Sequence, residues 1–252
     1  MTSTPVDSSL QSTRKTALVL TGARPRAVLF DYDGVLVASE PIHLSAWMQL
    51  LDELGLPKSK DLIRSMTGKT APEILRQIFQ KHRPEKVLSQ DELNVMAQRK
   101  NQFYIAAAHQ ELFTYPGVHE GLEWLKSQNI LMAVVSNGRR AELLKTMEQL
   151  KLTPYFKEII SRDDSQLPKP NPLPYLMGAA SLGLEVEDCL AIEDSPPGLE
   201  AALRAQIPGA AVTTNFSAQT LENPVLGLPH LKPHWIGPSI QEFFAWLKTL
   251  SK

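Results

Sequence analysis

Apolar residues follow two rhythms along this chain. Short unbroken runs, Ala27 to Phe30, Leu131 to Val135 and Cys189 to Ile192, read as strands buried on both faces. Elsewhere apolar positions recur every three or four residues, as on a helix with one buried stripe. That spacing predicts helices over 118–128, 139–150, 172–182, 197–205 and 239–250. Strands are expected over 130–135, 189–193 and 209–213, with a short edge strand near His234 to Ile236. Such alternation implies an α/β fold, a Rossmann-like parallel sheet covered by helices on both faces.

The stretch between the first apolar run and the turn Tyr115-Pro116-Gly117 breaks this alternation. Ile42, Leu44, Trp47, Met48, Leu50, Leu51 and Leu54 recur at helical spacing, and Gly55 and Pro57 stop that helix. Further helices are expected over 59–66, 72–82 and 89–109, separated by Gly68 and by Arg83-Pro84. The chain therefore divides into a tail (1–23), an α/β core domain (24–40 and 113–252) and an inserted helical domain (41–112). Hinges are expected near 38–42 and 110–116. The Ser- and Thr-rich tail lacks a clear secretory signal, and Ala17 to Leu20 could pair as an added edge strand.

Candidate chemistry gathers where the strands end. In an open α/β sheet, ligands bind beyond the carboxyl ends of strands. The first run ends in Asp31-Tyr32-Asp33-Gly34, the second in Ser136-Asn137-Gly138, and the third in Glu193-Asp194-Ser195. Lys169 lies between them, among the prolines of Leu167-Pro168-Lys169-Pro170-Asn171-Pro172. Taken alone, Asp-x-Asp-Gly is also compatible with a surface turn. Two close carboxylates suit a hard divalent cation, and one of them is then free to act as nucleophile. Carboxylates for a metal, hydroxyl and amide donors and a fixed cation make a set that phosphate can use in full.

Those four segments, in that order, resemble the haloacid dehalogenase superfamily, and most closely its phosphatase and β-phosphoglucomutase-like branch. The resemblance covers roughly residues 24–250. It implies that Asp31 is the nucleophile that becomes an aspartyl phosphate and that Asp33 is the general acid and base. It also implies Mg²⁺ bound by Asp31, the backbone carbonyl of Asp33, and Asp194 together with Glu193. Ser136, Asn137 and Lys169 would hold the phosphoryl group, and the helical insert would be a lid over the site.

The resemblance also draws in residues of the insert. His43 and Trp47 share a helix face and match a His and a Trp of the mutases. Lys100 matches a substrate-contacting lysine, and Lys69 lies in a loop from which an ammonium could reach a distal anion. Each also has a plainer reading: helix-surface histidine, core tryptophan, solvated lysines. Two positions depart from the family pattern. Ala38 replaces the usual acidic residue after the first motif, and Ala71 falls where mutases carry a phosphate-binding arginine. A mutase needs a firm grip on a remote phosphate, so Ala71 favours hydrolysis.

Bulk properties narrow the partners. In 252 residues, 43% are hydrophobic and 21% charged, the balance of a globular chain with a sizeable core. A formal net charge of −1 gives no general attraction to nucleic acid or an anionic membrane. No apolar stretch approaches the ~20 residues needed to span a bilayer. The single cysteine, Cys189, lies in an apolar run and reads as a core thiol in a reducing compartment. The expectation is a cytoplasmic monomer: an Mg²⁺-dependent phosphatase of a small phosphorylated metabolite, with a sugar phosphate favoured. A sugar phosphomutase and a non-catalytic interaction protein on the same fold are the alternatives.

Overall fold

The computed structural model describes residues 23–250 apart from 65, 67–68 and 226. The expected tail, the proposed pairing of Ala17 to Leu20 and the Gly68 break lie outside the described residues. Six parallel strands form one sheet in the order β3-β2-β1-β4-β5-β6. They are β1 (Ala27–Phe30), β2 (Leu131–Val135), β3 (Glu158–Ile160), β4 (Cys189–Glu193), β5 (Gly209–Val212) and β6 (Trp235–Gly237). β1 is central, with Leu29 opposite Ala133 of β2 on one side and Ala191 of β4 on the other. The chain order reverses about β1, which makes its carboxyl end the crevice of the sheet.

β1 carries side chains to both faces because neither face meets water. Val28 and Phe30 pack with Met132, Val134, Leu190 and Ile192 beneath α5 (Val118–Ser127), α6 (Arg140–Gln149) and α10 (Ile240–Thr249). Ala27 and Leu29 pack with Ala133, Val135, Cys189 and Ala191 beneath α7 (Leu173–Ser181) and α8 (Pro196–Arg204). Cys189 is buried and unpaired, and burial, ahead of the Asp188 charge, pushes its thiol up to about 12. That is the inert core thiol the sequence suggested.

Between β1 and β2 lie α1 (Glu40–Glu53), α2 (Lys60–Arg64), α3 (Ala71–His82) and α4 (Gln90–Glu111). Leu50, Leu51, Leu75, Ile78 and Leu93 give this insert its own apolar cluster. Ile42, Ala46, Tyr104 and Ala108 pack instead with the sheet-side core, so α1 and α4 span the junction. The chain leaves and returns at adjacent points: Ala38 N–H donates to Phe113 O (3.0 Å), and Tyr115 N–H to Leu36 O (3.1 Å). Among the described residues no helix is long and apolar enough to cross a membrane. The sequence reading omitted β3 and the short helix α9 (Ala218–Leu221).

Candidate active site

Asp31 leaves the end of β1 and Gly34 turns the chain back at φ +83°, a conformation glycine adopts without strain. Buried Tyr32 donates its hydroxyl to Thr146 (2.8 Å), while Asp31 and Asp33 both line one cleft of about 260 Å³. Ser136 and Asn137 reach that cleft from the end of β2, and Asp194 from the end of β4. Lys169, His43, Trp47, Lys69 and Lys100 line it as well. Residues separated by more than 150 positions thus converge because three parallel strands end side by side.

Lys169 is the electrostatic centre. Its buried ammonium donates to Asp31 Oδ1 (2.7 Å), Glu193 Oε1 (2.5 Å) and Val135 O (2.7 Å). Those three bonds use all of its N–H groups. Burial alone would lower its pKa; the Asp31 and Glu193 charges reverse that and raise it. Asn137 clamps the same residue from outside, accepting from Lys169 N–H (3.0 Å) and donating to Lys169 O (3.3 Å). The Asn137 side chain therefore acts on the site through Lys169. Ser136 Oγ accepts from Gly138 N–H (3.0 Å), which closes the turn between β2 and α6.

The carboxylates outnumber this cation. Asp31, Glu193 and Asp194 each offer an oxygen, all within 4.8 Å of one another. Glu193 is fully buried, and both of its oxygens accept hydrogen bonds, Oε1 also from Tyr175 (2.7 Å) and Oε2 from Ser195 (3.2 Å). Burial, with the charge of Glu193, pushes Asp31 up to about 8. Burial, with the charges of Asp31 and Glu193, pushes Asp194 well above the carboxylate range. Buried like charges are tolerated only with compensation. An all-oxygen pocket with surplus negative charge fits a hard divalent cation, with Asp31 and Asp194 as its carboxylates.

Asp33 has a different environment. Burial would raise its pKa, but hydrogen bonding and charge from His43, the Ser39 hydroxyl and the Lys100 charge hold it below the usual carboxylate range. His43 Nε2 lies 3.6 Å from Asp33 Oδ1. The imidazole stacks on Tyr104 at 4.1 Å between centroids, and its Nδ1 lies 2.6 Å from Lys100 Nζ. Burial, and then the Lys100 charge, lower the His43 pKa. Lys100 is only 5% exposed, held over the Trp47 and Tyr104 rings at 5.8 and 5.2 Å. Lys69 is exposed, and its ammonium donates to Gln77 (3.0 Å). Ala71, the first residue of α3, borders the cleft with a methyl group.

Over residues 28–212 the chain matches the family model for haloacid dehalogenase-like hydrolases. The chain belongs to that family. It is 32% identical over 181 residues to the phosphorylated carbohydrates phosphatase of Thermotoga maritima, covering 72% of this chain and 82% of that one. It is 30% identical over 194 residues to phosphoglycolate phosphatase 1 of Pseudomonas aeruginosa, covering 77% and 71% respectively. Its fold matches the crystal structure of β-phosphoglucomutase from Clostridium difficile with a TM-score of 0.75 and 24% identity, over 89% of this chain and 96% of that one.

In this haloacid dehalogenase-like hydrolase several site residues carry no motif in the sequence. Asn215 donates to Asp194 Oδ2 (2.6 Å) from the loop after β5. Ser39 donates to Asp33 from the start of α1. Tyr175 reaches Glu193 from α7, where its position reads as an ordinary core aromatic. Tyr104 is likewise a helix-stripe residue until its stacking with His43 is seen. The Ser39 position, bridging motif and helix, is the one of the four that a reading of helix N-termini could flag.

Proposed function

We propose that the chain is a divalent-metal-dependent phosphatase of small phosphorylated metabolites, sugar phosphates above all, and that it works through an aspartyl phosphate on Asp31. The observation that carries this reading is Lys169, whose buried ammonium bonds Asp31 and Glu193 at once. That contact holds one Asp31 oxygen and leaves the other for attack. The names of two relatives, a phosphorylated carbohydrates phosphatase and a phosphoglycolate phosphatase, support it.

Asp31 and Asp194 would hold the cation, with the Asp33 backbone carbonyl as a third oxygen. When bound, such an ion neutralises charge on the phosphoryl oxygens. The side chains then divide the work. Asp31 attacks phosphorus as the ester oxygen leaves. The Ser136 hydroxyl offers a donor to the transferring phosphoryl group, and Lys169, its N–H groups engaged with Asp31, Glu193 and Val135, places its positive charge beside it. Asp33 gives its proton to the leaving oxygen and later takes one from the water that attacks the aspartyl phosphate. The contacts from His43 and Ser39 favour its ionised form, so Asp33 must take up a proton before the first task and is ready as it stands for the second.

A sugar phosphomutase is the second reading, supported by His43, Trp47 and Lys100 lining the same cleft. Ala71 weighs against it, because a methyl group cannot anchor a remote phosphate. The test pairs two assays on one preparation: phosphate release from hexose and pentose phosphates, and conversion of β-glucose 1-phosphate to glucose 6-phosphate by a coupled dehydrogenase. Release without a bisphosphate primer is expected. Conversion that outpaces release and needs added bisphosphate would overturn the phosphatase reading.

A further inference from the structure

Three arginines stand near the ends of β2 and β3, and they differ in their partners. Arg139 Nη1 lies 3.4 Å from Asp163 Oδ1, and Arg140 Nη1 lies 2.8 Å from Asp164 Oδ2. Arg162 precedes both aspartates in the chain, yet neither pairs with it. It is half-buried and lines the cleft. Its guanidinium makes no hydrogen bond or ion pair with any described residue.

The backbone of Arg162 is fixed even though its side chain is not engaged. Its N–H donates to Gly138 O at 3.0 Å, tying it to the turn that carries Ser136. Close enough to feel its charge is Glu73, whose carboxylate is occupied by the Thr70 N–H (2.8 Å) and hydroxyl (2.7 Å). Against the upward push of burial, those bonds and the charges of Arg162 and Lys69 hold Glu73 below its usual range. Both cations thus line the cleft and act on the same carboxylate. Lys69 is bonded there only to the neutral Gln77. A half-buried guanidinium with a carboxylate charge nearby but no hydrogen bond leaves its donors open to an anionic ligand.

We propose that Arg162 binds a second anionic group of the substrate, remote from the phosphoryl group at Asp31, and so selects monoesters that carry one. The proposal rests on the phosphatase reading and adds the class of substrate. The ligand group is a planar or tetrahedral oxyanion, carboxylate or phosphate, that the guanidinium fork meets with two parallel hydrogen bonds. Because Arg162 belongs to the sheet side, this grip replaces from below what Ala71 cannot supply from the insert. Lys69, which lines the same cleft, adds a point charge from the insert.

Wild type, Arg162→Ala and Arg162→Lys are compared on two matched pairs: 2-phosphoglycolate with ethyl phosphate, and fructose 1,6-bisphosphate with fructose 1-phosphate. In Arg162→Ala, KM for the doubly anionic member of one pair should rise at least about tenfold more than for its partner, with kcat little changed. Arg162→Lys should fall between, since an ammonium keeps the charge and loses the fork. The pair that responds identifies carboxylate or phosphate. Equal losses within both pairs, or none, would overturn the proposal. Calorimetric titration of Asp31→Asn proteins with the same four ligands separates the two readings. If no ester is hydrolysed, the phosphatase reading fails. Binding then decides for Arg162: a preference for the doubly anionic ligand that vanishes in Arg162→Ala supports it, and indifference overturns it.

Discussion

Lys100 Nζ stands 2.6 Å from His43 Nδ1, so the ammonium donates and the imidazole proton is left on Nε2, the nitrogen that faces Asp33. The tautomer is therefore set from α4, a helix that spans the junction between the insert and the sheet-side core. Burial, partly offset by the charges of Glu142, Asp33 and Glu40, lowers the Lys100 pKa to about 8.

This burial has a signature in stability. Between about pH 8 and 10.5 the unfolded chain keeps a proton on Lys100 that the folded chain has released. Stability contributed by this group therefore rises with pH across that window. Denaturant unfolding of wild type and Lys100→Met at pH 8 and pH 10 should show wild type gaining on the variant. A difference that stays constant would contradict the depressed value.

Asp31→Asn replaces the carboxylate proposed to attack phosphorus by an amide of nearly the same shape. Turnover should fall by several orders of magnitude with the circular dichroism spectrum unchanged. A folded variant that retains more than about a tenth of wild-type turnover would remove Asp31 from the role of nucleophile.

Lys169→Met leaves Glu193 and Asp31 buried without their shared cation. Breaking a buried ion pair from one side costs about 3–5 kcal/mol, so a large loss of melting temperature should accompany loss of activity. Adding Glu193→Gln to Lys169→Met should restore part of the stability and none of the activity. Recovery of neither would mean that charge imbalance is not the source of the loss.

On the proposed reading, a divalent ion offsets the carboxylate surplus around Asp31 and Asp194. EDTA should abolish phosphate release and Mg²⁺ should restore it. Ca²⁺ should inhibit, because its longer and looser coordination misplaces the attacking oxygen. Full activity in excess chelator would refute the metal requirement.

Gly34 and Gly183 form a matched pair of backbone tests. Both have positive φ, +83° and +71°, but a Cβ on Gly34 would meet the Asp194 carboxylate and the Asn215 amide, whereas one on Gly183 would meet open space. Gly183→Ala should cost backbone strain alone, about 1–3 kcal/mol, with activity intact. Gly34→Ala should add displacement of Asp194 and lose most activity. Equal activity in the two variants would show that Asp194 is not needed where it stands.

The motif residues other than Lys169, which prolines frame, were legible because each follows a continuous apolar run that reads as a buried strand. β3 was not, since Glu158 opens a strand of three residues, too short to carry a pattern. Lys100 shows a second kind of blindness. Beside Arg99 it reads as half of a solvated helix face, and the fold splits the pair: Arg99 turns out to Glu53 at 2.9 Å while Lys100 turns in to His43. Asn215 contacts Asp194 from 21 positions away, through a loop whose path depends on β5 lying next to β4. Contacts of that kind are products of strand order and leave no local trace.

The backbone hydrogen bonds Ala38–Phe113 and Leu36–Tyr115 make residues 39–112 a closed excursion from the sheet. Their length and sequence can change without shifting the register of β1 against β2. What the insert contributes, Trp47, Lys69 and Lys100, can thus diverge while Asp31, Lys169 and Asp194 stay where the strands put them. A change of substrate in such a chain is an exchange of modules across two hydrogen bonds, with the chemistry inherited intact.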